Sequence, residues 1–115
     1  MKSANPWKRI FDTIGVASAA EMLAEEAAEL SASASKYARI LRGENPARMD
    51  ADEAEKRMIE EIADVFNALD VLDTGLVYDN GMHYLLTYAK RKTFKKMTRW
   101  YRSLFGEEER NNAAD

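Results

Sequence analysis

The chain has 115 residues, of which 46% are apolar and 32% are charged, and its formal net charge is −3. This length suits a single domain, and the charge gives no indication of nucleic acid binding. The absence of cysteine excludes disulfides and thiolate metal sites, and one histidine, His83, is too few for a zinc cage or a histidine-based triad.

The sequence also argues against a membrane partner. No run approaches the roughly 18 apolar residues that a membrane-spanning helix needs. Residues 1–7 lack the apolar segment of a signal peptide. We therefore expect a cytoplasmic protein.

The first half of the chain is predicted to be helical. In a short N-terminal arm over residues 1–16, apolar residues recur at helical spacing up to Gly15. A long helix should follow over residues 19–41, because this stretch is rich in Ala, Glu and Leu. Gly43 and then Pro46 are expected to end it.

Two further helices are predicted after a connecting loop. One should run from Ala51 to Asp73, capped by Asp50 and ended by Gly75. The last should occupy residues 82–104, and the polar residues 106–115 should form a flexible tail.

No part of the sequence shows the alternation of a strand, so the predicted fold is all-α, with residues 1–115 forming one domain. Three long helices leave one side of an antiparallel helical bundle open. We expect a homodimer or homotetramer to complete the bundle.

The stretch from Glu60 to Phe66 places acidic side chains where an amphipathic helix should be apolar. With Glu61 set at 0° and about 100° per residue, Asp64 lies at about 300° and Val65 at about 40°. The two carboxylates therefore share the inward face. Burying like charges together is costly unless a cation meets them.

Glu26 and Glu29 repeat this arrangement, because Leu23 and Leu30 fall on the same arc. Two such pairs on facing helices would form a cage of four carboxylates, which suits Mg²⁺ or Mn²⁺. The alternative is a pair of solvated acidic faces, but other residues already fill the solvent arcs. A di-iron bundle would need two Glu-x-x-His motifs, and neither pair has a histidine.

The last predicted helix, residues 82–104, carries seven basic residues: Lys90, Arg91, Lys92, Lys95, Lys96, Arg99 and Arg102. They could form an exposed helix end whose charges complement the helix dipole. Alternatively, they could bind polyphosphate beside the acids that hold Mg²⁺, as in nucleotide phosphate chemistry.

The acidic pairs also resemble a known signature. Glu25-Glu26-x-x-Glu29 followed by Glu61-x-x-Asp64 is similar to the pattern of the all-α nucleoside triphosphate pyrophosphohydrolases. This superfamily includes MazG, dimeric dUTPase, dCTP pyrophosphatase and phosphoribosyl-ATP pyrophosphatase. The flanking Leu41-Arg42-Gly43 and Glu60-Glu61-Ile62-Ala63-Asp64 look like the small MazG-like proteins of phages.

The resemblance implies Mg²⁺-dependent hydrolysis of a nucleoside triphosphate between its α and β phosphates, giving a monophosphate and pyrophosphate. It implies four metal ligands: Glu26, Glu29, Glu61 and Asp64. It gives Glu25, or a ligand such as Glu26 or Glu61, the role of orienting or deprotonating the attacking water. It implies phosphate binding by three basic residues: Lys92, Lys96 and Arg99.

Two other functions stay open from the sequence. One is a non-enzymatic helical module that binds a partner helix and shows no metal dependence. The other is an enzyme of the same fold that acts on a phosphoribosyl nucleotide.

Overall fold

The computed structural model describes residues 5–44, 49–80 and 85–114, with side chains over 5–44, 49–77 and 85–106. Three helices occupy these ranges: α1 (Pro6–Leu41), α2 (Ala51–Asn80) and α3 (Leu85–Ala114). No strand occurs in the described residues. The prediction of an all-α fold is confirmed.

Helix α1 is interrupted at Gly15, whose φ of 85° and ψ of 168° are not helical. We call residues 6–14 the first arm of α1 and residues 16–41 its second arm. The predicted short helix ending near Gly15 corresponds to the first arm. The second arm begins directly after the glycine, although the sequence predicted a start at residue 19. Glycine suits this position because positive φ angles strain other residues.

The ends of α1 follow from local chemistry. The side chain of Asn5 caps the first arm by accepting a 3.2 Å hydrogen bond from the Lys8 N–H. At the other end, the Glu44 N–H donates to the Arg39 carbonyl and the Gly43 N–H donates to the Ile40 carbonyl. Since Gly43 has a φ of 71°, this end is a Schellman motif. The predicted stop at Gly43 is therefore confirmed.

Helix α2 begins as the sequence predicted but ends later. The Asp50 side chain caps it by accepting a 2.8 Å hydrogen bond from the Glu53 N–H. The helix then continues through Gly75 to Asn80, so the prediction that Gly75 ends it was wrong. Gly75 is buried inside α2, and a Cβ atom there would overlap the ring of Phe11. This glycine makes room for an aromatic ring rather than stopping the helix.

The core lies between α1 and α2. Its buried members are Phe11, Ala19, Val71 and Leu72. Partly buried apolar residues surround it: Ile14, Met22, Leu23 and Leu76. Burying apolar surface here supplies the main free energy that holds the two helices together.

The contacts show how the two arms of α1 run along α2. Trp7 is hydrogen-bonded to Asn67, and Phe11, further along the first arm, lies against Gly75. Residue numbers therefore increase in the same direction along the first arm and along α2. The second arm runs the opposite way, because Glu29, far along it, lies beside Glu61 in the first half of α2. The two arms therefore progress along α2 in opposite directions, and the change of direction falls at Gly15.

The chain divides into two compact units, residues 1–83 and 84–115. Helix α3 belongs to the second unit and is described by itself. It continues past Gly106 to Ala114, through the stretch predicted as a flexible tail. Residues 82–84, predicted to begin this helix and including His83, lie outside the described residues.

Helix α3 is amphipathic. Apolar side chains repeat every three or four residues along one face and are largely exposed: Phe94, Met97, Tyr101 and Leu104. None of the helices in the described ranges combines the length and apolar character that a bilayer span requires.

The contact between Phe11 and Gly75 gives a testable prediction. Replacing Gly75 with Ala should lower the free energy of unfolding by about 1–3 kcal/mol, because the added methyl group overfills the core. Replacing Gly106 with Ala is the matched control, since no atom lies within 4 Å of a Cβ placed there. That change should be neutral or stabilising by up to about 1 kcal/mol, as alanine is the better helix former. Urea denaturation of both variants measures this, and equal effects would contradict the role of the ring contact.

Candidate metal centre

Three of the predicted ligands meet where the second arm of α1 faces α2. Carboxylate oxygens of Glu26, Glu29 and Glu61 all lie within 4.8 Å of one another. Glu26 and Glu29 are one turn apart on α1, and Glu61 comes from α2. The antiparallel packing of the helices therefore brings together acids that are more than thirty positions apart in the sequence.

Two of these carboxylates are covered from solvent in part. Glu26 and Glu61 are half-buried. The Oε2 atom of each is inaccessible to water and has no hydrogen-bond partner among the described residues. A buried polar atom without a partner is energetically costly, and a charged one is more so. A proton shared with Glu29, which is within hydrogen-bonding reach of both carboxyl groups, or a cation would stabilise these two oxygens.

The electrostatics of the cluster point the same way. Burial raises the pKa of the Glu26 carboxyl above its ordinary value, and the neighbouring Glu29, Asp64 and Glu61 carboxylates raise it further. Burial likewise raises the pKa of Glu61, with Glu29 the next contributor. A raised pKa means that the charged form of each acid is disfavoured in the folded chain. A cation between the helices would reverse that preference.

The spacing and the donor type suit a small, hard cation. Two oxygens bound to one Mg²⁺ at about 2.1 Å are separated by about 3.0–4.2 Å in octahedral geometry. The observed limit of 4.8 Å is slightly wider, so a small contraction would let one ion contact all three residues. The ligands are all carboxylate oxygens, which favour Mg²⁺ or Mn²⁺ over softer metals.

Asp64 and Glu25 lie outside the cluster of three acids, and both are exposed, as Glu29 within the cluster also is. The charge of Asp64 is nevertheless close enough to raise the pKa of both Glu26 and Glu61. Asp64 is thus placed at the edge of the site, where a bound ion could draw it in.

The three basic residues predicted to bind phosphate are Lys92, Lys96 and Arg99. They lie on α3, are exposed and share one side of that helix. Because α3 belongs to the second compact unit, their role toward the phosphates of a nucleotide stays a prediction.

One contact between the first arm of α1 and α2 was missed by the sequence reasoning. The indole N–H of Trp7 donates a 3.3 Å hydrogen bond to Oδ1 of Asn67, which is 60 positions away. The apolar spacing of the first arm predicted only a packing role for Trp7. Periodicity places a residue on a face of its own helix, but it does not pair that residue with a partner on another helix.

No family model matches this chain, no curated protein matches it, and no solved structure matches it. The resemblance to the MazG-like proteins therefore stays a prediction, and the geometry of the site carries the functional argument below.

The raised pKa values predict how stability should depend on pH. Without metal, Glu26 and Glu61 destabilise the fold when ionised, because their charged forms are disfavoured there. This penalty should be present above the raised pKa values and should disappear as the pH falls toward the ordinary value of 4.5.

Glu61→Gln removes one of these charges and keeps the side-chain shape. In the presence of a chelator, this variant should therefore melt higher than wild type at pH 7.5, and the gap should narrow toward pH 4.5. Glu55→Gln, which changes an exposed acid of the same helix, is the control and should show little gap at either pH. Thermal melts over this pH range measure the effect, and a pH-independent gap would contradict it.

Proposed function

We propose that the chain is a Mg²⁺-dependent nucleoside triphosphate pyrophosphohydrolase, which cleaves its substrate between the α and β phosphates. One observation carries the proposal. Two carboxylate oxygens, of Glu26 and Glu61, are buried without partners on facing helices inside a cluster of three acids. A protein that used these acids only for solubility would leave them in water, where they cost nothing.

The carboxylates have two roles in this proposal. Glu26, Glu29 and Glu61 would hold the ion, and Asp64 would complete the set from the edge of the cluster. When bound, Mg²⁺ supplies neutralisation of phosphate charge and lowers the pKa of water. A cluster with acidic side chains alone would repel a polyphosphate, so substrate and cation are expected to bind together.

Glu25 has a separate role. It precedes the ligand Glu26 in the sequence and is exposed, so it is free to accept a proton from water at the rim of the site. General-base catalysis requires such a carboxylate within hydrogen-bonding reach of the attacking water. Hydrolysis by water needs no covalent nucleophile, which agrees with a chain that has no cysteine.

The proposal predicts pyrophosphate release that depends on Mg²⁺. The purified chain should be incubated with a panel of ribo- and deoxyribonucleoside triphosphates, and pyrophosphate and monophosphate should be measured together. Glu61→Gln should lower the rate on the order of a hundredfold or more, because even partners that only orient metal ligands cost up to that much. Glu55→Gln should retain activity. Equal rates in the two variants, or no pyrophosphate from any nucleotide, would overturn the proposal.

We also propose that the chain self-associates through α3. Its apolar face leaves Phe94 73% exposed and Leu104 76% exposed, and Met97 and Tyr101 lie between them at alternating spacings of three and four residues. This spacing is the one by which helices pack together along a seam. Large exposed apolar surfaces on soluble proteins mark sites of association.

Light scattering should therefore report a dimer or tetramer for the wild-type chain. Leu104→Asp should shift it toward the monomer, because a charge would be buried in the seam. Ser103→Asp, which places the same charge on the neighbouring residue but away from the apolar face, is the control and should leave the assembly intact. A monomeric wild type at micromolar concentration would contradict the proposal.

A further inference from the structure

Trp7 and Asn67 form a polar contact that the proposed reaction does not use. Trp7 occupies the first turn of α1, where the Asn5 cap and Pro6 fix the backbone. The residue is 36% exposed, and its indole N–H donates to Asn67. The contact therefore presents part of an aromatic ring and an amide to solvent.

Asn67 is exposed and lies further along α2 than the carboxylate cluster. Asn67 follows Asp64 by three residues on α2, so the two side chains are neighbours on the helix surface. Asn67 is six residues beyond Glu61, which corresponds to about 9 Å along the helix axis and about 120° around it. A displacement of this kind separates the base of a nucleotide from its terminal phosphates.

The hydrogen bond also determines which atoms Asn67 presents. An indole nitrogen is only a donor, so the amide oxygen of Asn67 must face Trp7. The amide nitrogen, with its two N–H donors, is then directed away from the ring. Such donors recognise an acceptor, which is a carbonyl oxygen or an unprotonated ring nitrogen on the edge of a nucleobase.

The indole ring adds a second kind of recognition. Every nucleobase has a flat π face, and stacking on an aromatic side chain contributes about 1–3 kcal/mol per base. A ring that is partly exposed and held at its nitrogen can accept a base without first being ordered, which lowers the entropic cost of binding.

We propose that Trp7 and Asn67 form the nucleobase subsite, in which the indole stacks on the base and the Asn67 amide donates to an acceptor on its edge. This inference rests on the proposed function, because the phosphates must bind at the carboxylate cluster for the base to reach Trp7. The alternative is that the contact only clamps the first arm of α1 onto α2.

Fluorescence distinguishes the two directly. The chain has two tryptophans, Trp7 and Trp100, so Trp100→Phe leaves Trp7 as the sole indole emitter. This protein should be titrated in Mg²⁺ with α,β-methylene analogues of the adenine, guanine, cytosine and thymine nucleoside triphosphates, which cannot be cleaved at that position. Inorganic tripolyphosphate serves as the probe without a base.

At least one base-bearing analogue should quench or shift the emission of Trp7, whereas tripolyphosphate should displace that analogue without changing the emission by itself. The same change with tripolyphosphate, or none with any analogue, would overturn the subsite. Because this experiment leaves both subsite residues in place, it does not depend on the folding of a variant.

Kinetics give a second test. Asn67→Ala should reduce the ratio of kcat/KM between the best and the worst nucleotide by about tenfold, since one base-specific hydrogen bond is lost. Trp7→Phe should still stack on the base, but it removes the hydrogen bond that orients the Asn67 amide. This variant should therefore reduce the ratio of kcat/KM between nucleotides less than Asn67→Ala does. Variants that lower kcat/KM equally for all bases, with lowered melting temperatures, would show a clamp instead.

The two proposals fail in different ways. If wild type releases no pyrophosphate but the analogues change the emission of Trp7, the chain binds nucleotides without cleaving them, and the base subsite stands. If wild type cleaves nucleotides and Asn67→Ala preserves the base ratio, the enzyme stands and the subsite is wrong.

Discussion

The repulsion among carboxylates between two packed helices is the constraint on which the rest of the first compact unit depends. Glu26 and Glu61 each bury an oxygen without a partner, and the apolar cluster around Val71 and Leu72 has to hold the helices together against that cost. Since proteins are stable by only a few kcal/mol, such a site is tolerated where a ligand offsets it. In the proposed enzyme, stability and function would therefore oppose each other at this cluster, as is common at active sites.

The sequence was informative about features that depend on residues within a single helix. Periodicity predicted that Glu26, Glu29, Glu61 and Asp64 face inward together. The helices bring the first three together, but only Glu26 and Glu61 are half-buried, whereas Glu29 and Asp64 are exposed. Local hydrogen bonding likewise predicted the cap at Asp50 and the stop at Gly43. In each case the relevant atoms lie within a few residues of one another, so the sequence contains the physical cause.

Predictions failed, or were not made, where the role of a residue depends on its contact with another helix. In the sequence, Gly75 is typical of a helix end. In the structure it is buried in α2, where the ring of Phe11 occupies the space that a Cβ atom would take. The contact of Trp7 with Asn67 depends on how a second helix is laid along α2. A glycine is equally suited to a turn and to a close approach, and only the packing decides between them.

Gly15 has a consequence for how much of α2 the chain can cover. If α1 were one straight helix, residues 6–14 would project about 13 Å past the turn, away from the surface they now cover. Because the chain changes direction at Gly15, both arms of α1 contact α2, and they progress along it in opposite directions. The first arm is thereby held against α2 through Trp7 and Phe11, and the backbone conformation of one residue decides which surface of α2 it covers.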